Sequence, residues 1–416
     1  GVRPSGVVAM ISVAEAHKII DDQITGVTRE RVSINDTGGR VLAAEIVASF
    51  PQPRFDNIAM DGFAVQASNT KGASKNSPVA LKMVGVVSAG SPGDVVVGTG
   101  QCAQCMTGAP IPQGADAIVI VEDSSGYDSC ALVQMYTEVQ AGQHIRREGE
   151  EIRLGDLLIK DGTCITTAEV GTLATFGYKD ILVYRKPRLA LFATGDELIE
   201  PGNDLLPGQI YNSNLYVFED LVRRAGAEVA LKNVIKDDRD SLKTFLADAL
   251  GTCNMVISSG GVSMGRFDYV RDVFMELGVK EHFWKVAQKP GRPLFFGSNS
   301  TALIFGLPGN PVSAFIGFME YVWPVLESMT GQSRSSTISA VLDESFPLDA
   351  VKTRYLFGNI WSEDGQLICA PSKKIGSHML TSSLEANCII IADPGDKPLT
   401  KGDQIRVRVL PWKTII

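Results

Sequence analysis

Leu303-Ile304-Phe305-Gly306-Leu307-Pro308-Gly309-Asn310-Pro311-Val312-Ser313-Ala314 reads as a strand, a tight loop and the start of a helix. The apolar run from Ala302 to Phe305 is a buried strand, and the Gly/Pro turn ends it. Asn310 falls where a helix takes its N-cap, and Pro311 falls at the first helical position, where a missing N–H costs nothing. Such a loop turns free backbone N–H groups and the positive end of a helix dipole toward an anion. A ligand-free turn between strand and helix uses the same residues, so the loop alone leaves both readings open.

Upstream of this loop the chain repeats the same alternation. Arg188 to Thr194 is a continuous apolar strand, followed by a helical pattern through Leu215, Phe218, Leu221 and Val222 that ends at Gly226. A strand from about Val229 to Ile235 leads to a helix carrying Leu242, Phe245, Leu246 and Ala249, and then to the strand Met255 to Ser259. Buried strands alternating with helices predict a doubly wound α/β domain over 186–332, with ligands beyond the carboxyl ends of its strands. After Gly331-Gln-Ser-Arg-Ser-Ser-Thr the texture becomes short strands, including Tyr355 to Trp361, Leu367 to Ala370, Asn387 to Ile391 and Gln404 to Val409. These predict a C-terminal β barrel over 336–416.

The first half divides differently. Ser12-Val13-Ala14-Glu15 is a capping box that opens an amphipathic helix, and Thr166-Thr167-Ala168-Glu169 opens a second one that stops at Gly177. Between them, residues 51–150 are rich in Val, Gly and Pro with short strand-like runs, which predicts a β domain inserted into a discontinuous helical linker domain of 11–50 and 151–185.

A chain of 416 residues with 44% hydrophobic and 21% charged side chains is an ordinary multidomain globular composition. Thirty-nine basic against 47 acidic residues give a net charge of −8, which offers no general attraction to nucleic acid or an anionic membrane. An anionic ligand therefore needs a local basic pocket. No apolar run reaches the ~20 residues of a membrane span. The seven cysteines suit a reducing, cytoplasmic setting. Cys102 and Cys105 form a lone C-x-x-C on a predicted strand, where the thiols face opposite sides and suit neither a metal nor a redox pair. Residues 1–10 read as an extension rather than a signal peptide.

Chemistry-bearing residues collect at the predicted strand ends. Thr194-Gly195-Asp196-Glu197-Leu198 follows the first strand, Asp237-Asp238 the second, and Ser258-Ser259-Gly260-Gly261-Val262-Ser263-Met264-Gly265 the third, with Asp268 just beyond. Converging carboxylates imply a bound cation or a general acid/base, although Asp237-Asp238 also suits a helix N-cap. The glycines let a phosphate approach the backbone, but the loop is neither a P-loop nor a dinucleotide fingerprint. Lys285, Lys289 and Arg292 concentrate cations within Phe283-Trp284-Lys285-Val286-Ala287-Gln288-Lys289-Pro290-Gly291-Arg292-Pro293, against the sign of the whole chain. In the inserted domain, Asp61-Gly62 and Met106-Thr107-Gly108-Ala109-Pro110 stand out, and Asp61-Gly62 is also compatible with simple turn chemistry.

Together the segments Asp56-Asn57-x-Ala59-Met60-Asp61-Gly62, Met106 to Pro110, Ala193 to Leu198, Ser259-Gly260-Gly261-Val262-Ser263, Lys289-Pro290-Gly291-x-Pro293 and Leu307 to Ala314 resemble the molybdopterin molybdenumtransferase family, the MoeA proteins and the gephyrin E domain. They follow the family's order over about residues 11 to 410. The resemblance implies a homodimer of four-domain subunits, with the inserted domain of one facing the α/β domain of the other. It implies molybdenum insertion into adenylylated molybdopterin, with molybdate as co-substrate, Mg²⁺ as the usual cation and AMP released. It also implies a molybdopterin adenylyltransferase upstream.

Residue by residue, the resemblance gives Glu197, Asp237 and Asp268 to Mg²⁺ near the pyrophosphate, a task suited to hard oxygen ligands. Asp61, Thr107, Lys285 and Lys289 join them as catalytic positions, with Asp61 and Thr107 acting across the dimer interface. Gly260, Gly261 and Ser263 take the pterin phosphate, Arg292 shares the charge of leaving AMP or incoming molybdate, and Pro308, Gly309, Asn310 and Pro311 shape the oxyanion pocket. Ser377 matches a position in the C-terminal domain. Glu151 stands where Asp is common, Arg292 replaces a common Lys, and Lys352-Thr353-Arg354-Tyr355 follows the family's arginine stretch only loosely. The competing expectation is a dimeric scaffold or anchoring protein that keeps a molybdopterin pocket.

Overall fold

A computed structural model describes residues 10–25, 27–128, 131–236, 238–261, 270–373 and 380–415. The chain forms two compact units, one of Gly1–Ala43, Gly162–Thr166 and Asp180–Ile416, the other of residues 44–161 and 167–179.

The larger unit is built on a six-stranded sheet. Its order is Glu228–Ile235, Arg188–Thr194, Met255–Ser259, Leu303–Leu307, Pro293–Ser298 and Lys280–Lys285. The first four strands are parallel, as expected from strands alternating with helices; the three inner ones are buried runs, while Glu228–Ile235 forms the sheet edge and carries Lys232 and Asn233. The last two are antiparallel and lie outside the strands expected from the sequence. Lys280–Lys285 lies inside the stretch read for its cations. Its Phe283 is registered against Phe296, whose ring centroid is 5.4 Å away, so an apolar cross-strand contact seats a strand that the charges obscured.

Alternation along Arg188–Thr194 winds helices onto both faces. Leu189, Leu191 and Ala193 pack with Leu215, Phe218, Leu221 and Val222 of the helix Asn214–Arg224. Ala190 and Phe192 pack on the opposite side with Leu242, Leu246 and Ala249 of Arg239–Thr252, and with Val273 and Phe274 of Val270–Glu276. Asp238 caps Arg239–Thr252 by accepting the Ser241 amide at 2.8 Å, which is the capping alternative noted for this segment.

The C-terminal strands close on themselves. Thr353–Glu363, Gln366–Pro371, Ile338–Leu342, Gln404–Val409 and Cys388–Ala392 form a ring completed by pairing of the last with the first. Closure pairs the first and last of these five strands, and the short strand Gln288–Lys289 adds to the first at Thr353 and Arg354.

Between sheet and barrel runs one buried helical stretch, Pro311–Gly317, the π turn Phe318–Val322 and Trp323–Met329. Glu320 is buried there, accepting from Arg408 of the barrel at 3.1 Å and lying 2.8 Å from His17 Nε2 of the helix Val13–Asp21. The Ser12–Glu15 capping box that opens that helix makes both of its reciprocal hydrogen bonds.

In the smaller unit, a five-stranded sheet runs Ala117–Ile120, Gly62–Val65, Gln101–Cys105, Val79–Val87 and Leu132–Met135. Cys102 and Cys105 do enter cores on opposite faces, and burial pushes each thiol up to about 12, far from a reactive thiolate. Gly62 opens a central strand rather than a turn. A Cβ there would lie 2.0 Å from the Val119 carbonyl oxygen, so close backbone approach demands the glycine.

Removing one member of a buried charge cluster strands the others, so Glu320→Ala is expected to cost about 3–5 kcal/mol, measured by denaturant unfolding. Burial pushes the Glu320 carboxyl up, but His17 and Arg408 more than offset it and hold it below the ordinary value. Its contribution is therefore present above the unfolded pKa of about 4.3 and lost as pH falls through the folded value. Glu320→Gln should flatten that acid limb of the stability curve. Gly62→Ala, by contrast, should lower the Tm through steric displacement at every pH.

Candidate active site

Beyond the carboxyl ends of the parallel strands lies a cavity of about 1050 Å³. Thr194, Ser259 and Pro308 reach it from three successive strand ends, where this topology places ligands. The Gly260-Gly261 turn uses backbone that L side chains rarely adopt, with φ of 82° and 71°. A Cβ on Gly261 would also meet Val270 Cγ2 at 2.4 Å. Gly260 lies against Gly309, where a built Cβ would be 4.0 Å from the Gly309 Cα, and its amide donates to the Leu307 carbonyl at 2.9 Å. Two glycine turns thus face one space, with the Gly260 N–H already committed.

Glu197 lines the cavity with an exposed carboxylate folded back over Gly195, where a Cβ would come within 2.5 Å of its Oε2. Asp196 lies outside the lining. Pro308, Gly309, Asn310 and Pro311 all line it. Asn310 occupies the expected N-cap position, but its side chain makes no capping hydrogen bond, while Pro311 is the first residue of Pro311–Gly317.

The cations separate. Lys289 lines the cavity, but Lys285 sits on the neighbouring strand with Nζ 5.1 Å from the Trp284 ring centroid, and Arg292 is exposed outside the lining. The second cavity cation is Arg354, registered beside Lys289 by the Gln288–Lys289 strand. Its guanidinium donates to the Pro347 carbonyl and lies 5.8 Å from the Phe346 ring centroid. The loose local pattern around Arg354 concealed this placement, because pairing to a strand distant in sequence brings it here. Lys289 itself is steadied by its neighbour: buried Gln288 donates to the Gly291 carbonyl at 2.9 Å and accepts from the Tyr321 hydroxyl.

Asn212 and Asn214, outside the sequence motifs above, also line the cavity. Asn214 donates through Nδ2 to Ser259 Oγ at 2.7 Å and to the Gly309 carbonyl at 2.8 Å, tying the two glycine turns together. Asn212, 2% exposed, donates to Glu200 at 2.9 Å and accepts the Leu215 amide at 3.3 Å. Asn212, then Tyr216, hold the Glu200 carboxyl below the usual range by hydrogen bonding. The signal available in the sequence was the Asn212-Ser213-Asn214 run before a helix, which also reads as ordinary capping.

In the smaller unit, Asp61 and Thr107 are joined. The Thr107 amide and hydroxyl both donate to Asp61 Oδ1, at 2.7 and 2.8 Å, and these bonds, the backbone one first, hold the Asp61 carboxyl below its ordinary value. Asp56 accepts from the Glu148 amide at 2.8 Å and from the Arg147 guanidinium at 2.6 Å. Asp237, Ser263, Asp268 and Ser377 lie outside the described residues. Among the described residues, no group of three His, Cys, Asp or Glu side chains could hold a metal.

Comparison with known proteins matches this geometry end to end. Family models for the MoeA N-terminal region (domain I and II), a probable molybdopterin binding domain and the MoeA C-terminal region (domain IV) match residues 11–177, 190–328 and 339–410. The molybdopterin molybdenumtransferase of Bacillus subtilis is 32% identical over 398 residues, covering 93% of each chain. The chain belongs to the molybdopterin molybdenumtransferase family. A Staphylococcus aureus member is 31% identical over 399 residues, covering 95% of each chain. A crystal structure of a Pyrococcus horikoshii molybdopterin biosynthesis moeA protein shares 30% identity at a TM-score of 0.82, covering 96% of this chain and 99% of that one. The family's molybdopterin-binding model ends at residue 328, so it includes every strand-end loop of the cavity, whereas Arg354 comes from the C-terminal region.

Gly261→Ala combines a left-handed φ with a clash against Val270. It is expected to destabilise the larger unit by about 1–3 kcal/mol, read as a lowered Tm.

Proposed function

We propose that this chain is a molybdopterin molybdenumtransferase that completes molybdenum cofactor biosynthesis. It takes adenylylated molybdopterin and molybdate, cleaves off AMP and leaves molybdenum on the dithiolene. The observation that carries this reading is the cavity itself, with paired glycine turns at parallel strand ends and, on one wall, Lys289 beside Arg354. In a protein of net charge −8, two cations registered side by side make a local site for an oxyanion such as molybdate. The glycine turns suit the phosphate portion of the pterin nucleotide.

Glu197 presents hard carboxylate oxygen to the cavity, a donor that fits Mg²⁺. Asp237 and Asp268 join it in this proposal on the strength of the family pattern. Mg²⁺ bound there would offset phosphate charge. Asp61 and Thr107 form a preorganised carboxylate–hydroxyl pair, and the proposal extends to a homodimer in which that pair serves the partner's cavity. The same reading divides the chain into the linker domain 11–50 and 151–185, inserted domain 51–150, α/β domain 186–332 and barrel domain 336–416. It places the enzyme in the cytoplasm, downstream of a molybdopterin adenylyltransferase.

The test is anaerobic incubation of the pure protein with adenylylated molybdopterin, molybdate and Mg²⁺, following AMP and dithiolene-bound molybdenum. The expected outcome is equal amounts of both; tight nucleotide binding with neither product would instead assign the chain to the scaffold class. Lys289→Ala and Arg354→Ala should each raise the molybdate concentration needed for half-maximal turnover by about tenfold, roughly one charge-assisted contact. Unchanged molybdate dependence in both variants would remove the oxyanion role from this wall.

A further inference from the structure

Asn214 joins turns from two different strand ends, and the chemistry of its partners fixes the direction of every bond. The Gly309 carbonyl can only accept, so the Asn214 atom 2.8 Å away must be the amide nitrogen. The same nitrogen lies 2.7 Å from Ser259 Oγ, which commits its second proton. Ser259 oxygen therefore accepts from Asn214, and the Ser259 proton points elsewhere.

Ser259 ends the buried strand Met255–Ser259, is 5% exposed and lines the cavity. Among the described residues, the one hydrogen bond of its Oγ is that accepted from Asn214. Directly after it, the Gly260 amide is spent on the Leu307 carbonyl, so the first backbone donor of the glycine turn is withdrawn from any ligand. The Ser259 hydroxyl takes its place. With Asn214 on one side, this hydroxyl offers the cavity a proton, which suits an anionic oxygen.

We infer that Asn214 is a positioning residue that sets the polarity of Ser259, making Ser259 a hydrogen-bond donor to a phosphate oxygen of the ligand held over the Gly260-Gly261 turn. This deepens the transferase reading and rests on its phosphate-bearing ligand.

A double-mutant cycle tests it. Wild type, Asn214→Ala, Ser259→Ala and the double variant are titrated anaerobically with adenylylated molybdopterin in a calorimeter, with the Tm of each recorded. Each single variant should weaken binding about tenfold, the double variant should bind about as Ser259→Ala does, and Ser259→Thr should restore affinity. A structural brace with no polarity role would give independent, multiplying losses. Full additivity therefore overturns the role of Asn214, and wild-type affinity in Ser259→Ala overturns that of Ser259. Should Asn214→Ala fail to fold, Asn214→Asp replaces it. Its carboxylate would accept the Ser259 proton, and binding should fall at least tenfold; unchanged binding overturns the inference. If wild type binds no adenylylated molybdopterin, the transferase reading falls by itself. Inorganic pyrophosphate then becomes the probe, and equal affinities in wild type and Ser259→Ala overturn the donor role.

Discussion

The larger unit depends on one constraint: a helical stretch with no solvent face. From Val312 to Glu327 every residue is buried, and such a helix persists only where apolar surface surrounds it. Phe318 stacks on Phe218 from the sheet side, with centroids 5.5 Å apart, while Phe315 meets Phe357 of the barrel edge-on at 5.1 Å. Sheet and barrel therefore share a core. Trp323 and Phe315 both contact Trp412, which packs its ring against that core.

The cavity follows from this packing. Pro311, Val312 and Ser313 line the cavity where the buried stretch begins, and Val312 anchors the helix opening in the core shared by sheet and barrel. At the π turn, successive residues face different tasks. Glu320 closes a buried cluster with His17 and Arg408, and Tyr321 reaches Gln288 beneath the Lys289 loop. Local widening of the helix by one residue is a common way to aim side chains at a functional region. The supports of Lys289 and Arg354 thus lie in the core and the barrel rather than in the loops that carry them.

Hydrogen-bond direction adds a second layer of order. Asn214 and the Gly260 amide spend their protons inside the protein, and the donors left facing the cavity are fewer and better defined than the glycine-rich sequence suggests. Glycines here act through geometry: they let two turns approach each other. The same holds at Gly62, where the Asp61-Gly62 pair reads as turn chemistry but serves close approach to the paired strand Ala117–Ile120.

Much of this was legible in the chain. Apolar runs at Arg188, Met255 and Leu303 marked buried parallel strands, the Ser12–Glu15 box marked a helix start, and the spacing of Cys102 and Cys105 put their thiols on opposite faces, because period and capping are local physics. The strand ends then located the cavity, and the ordered motifs gave the family. Partnership between distant residues was not legible. The pairing that brings Arg354 to Lys289 and the Asn214 link between Ser259 and Gly309 join segments tens of residues apart, while the nearby antiparallel strands Lys280–Lys285 and Pro293–Ser298 were obscured by their cations and prolines. The sequence by itself determined which residue types stand at the strand ends; the tertiary structure decided which of them share a wall and which protons remain free, since register and hydrogen-bond direction exist only once the strands are paired.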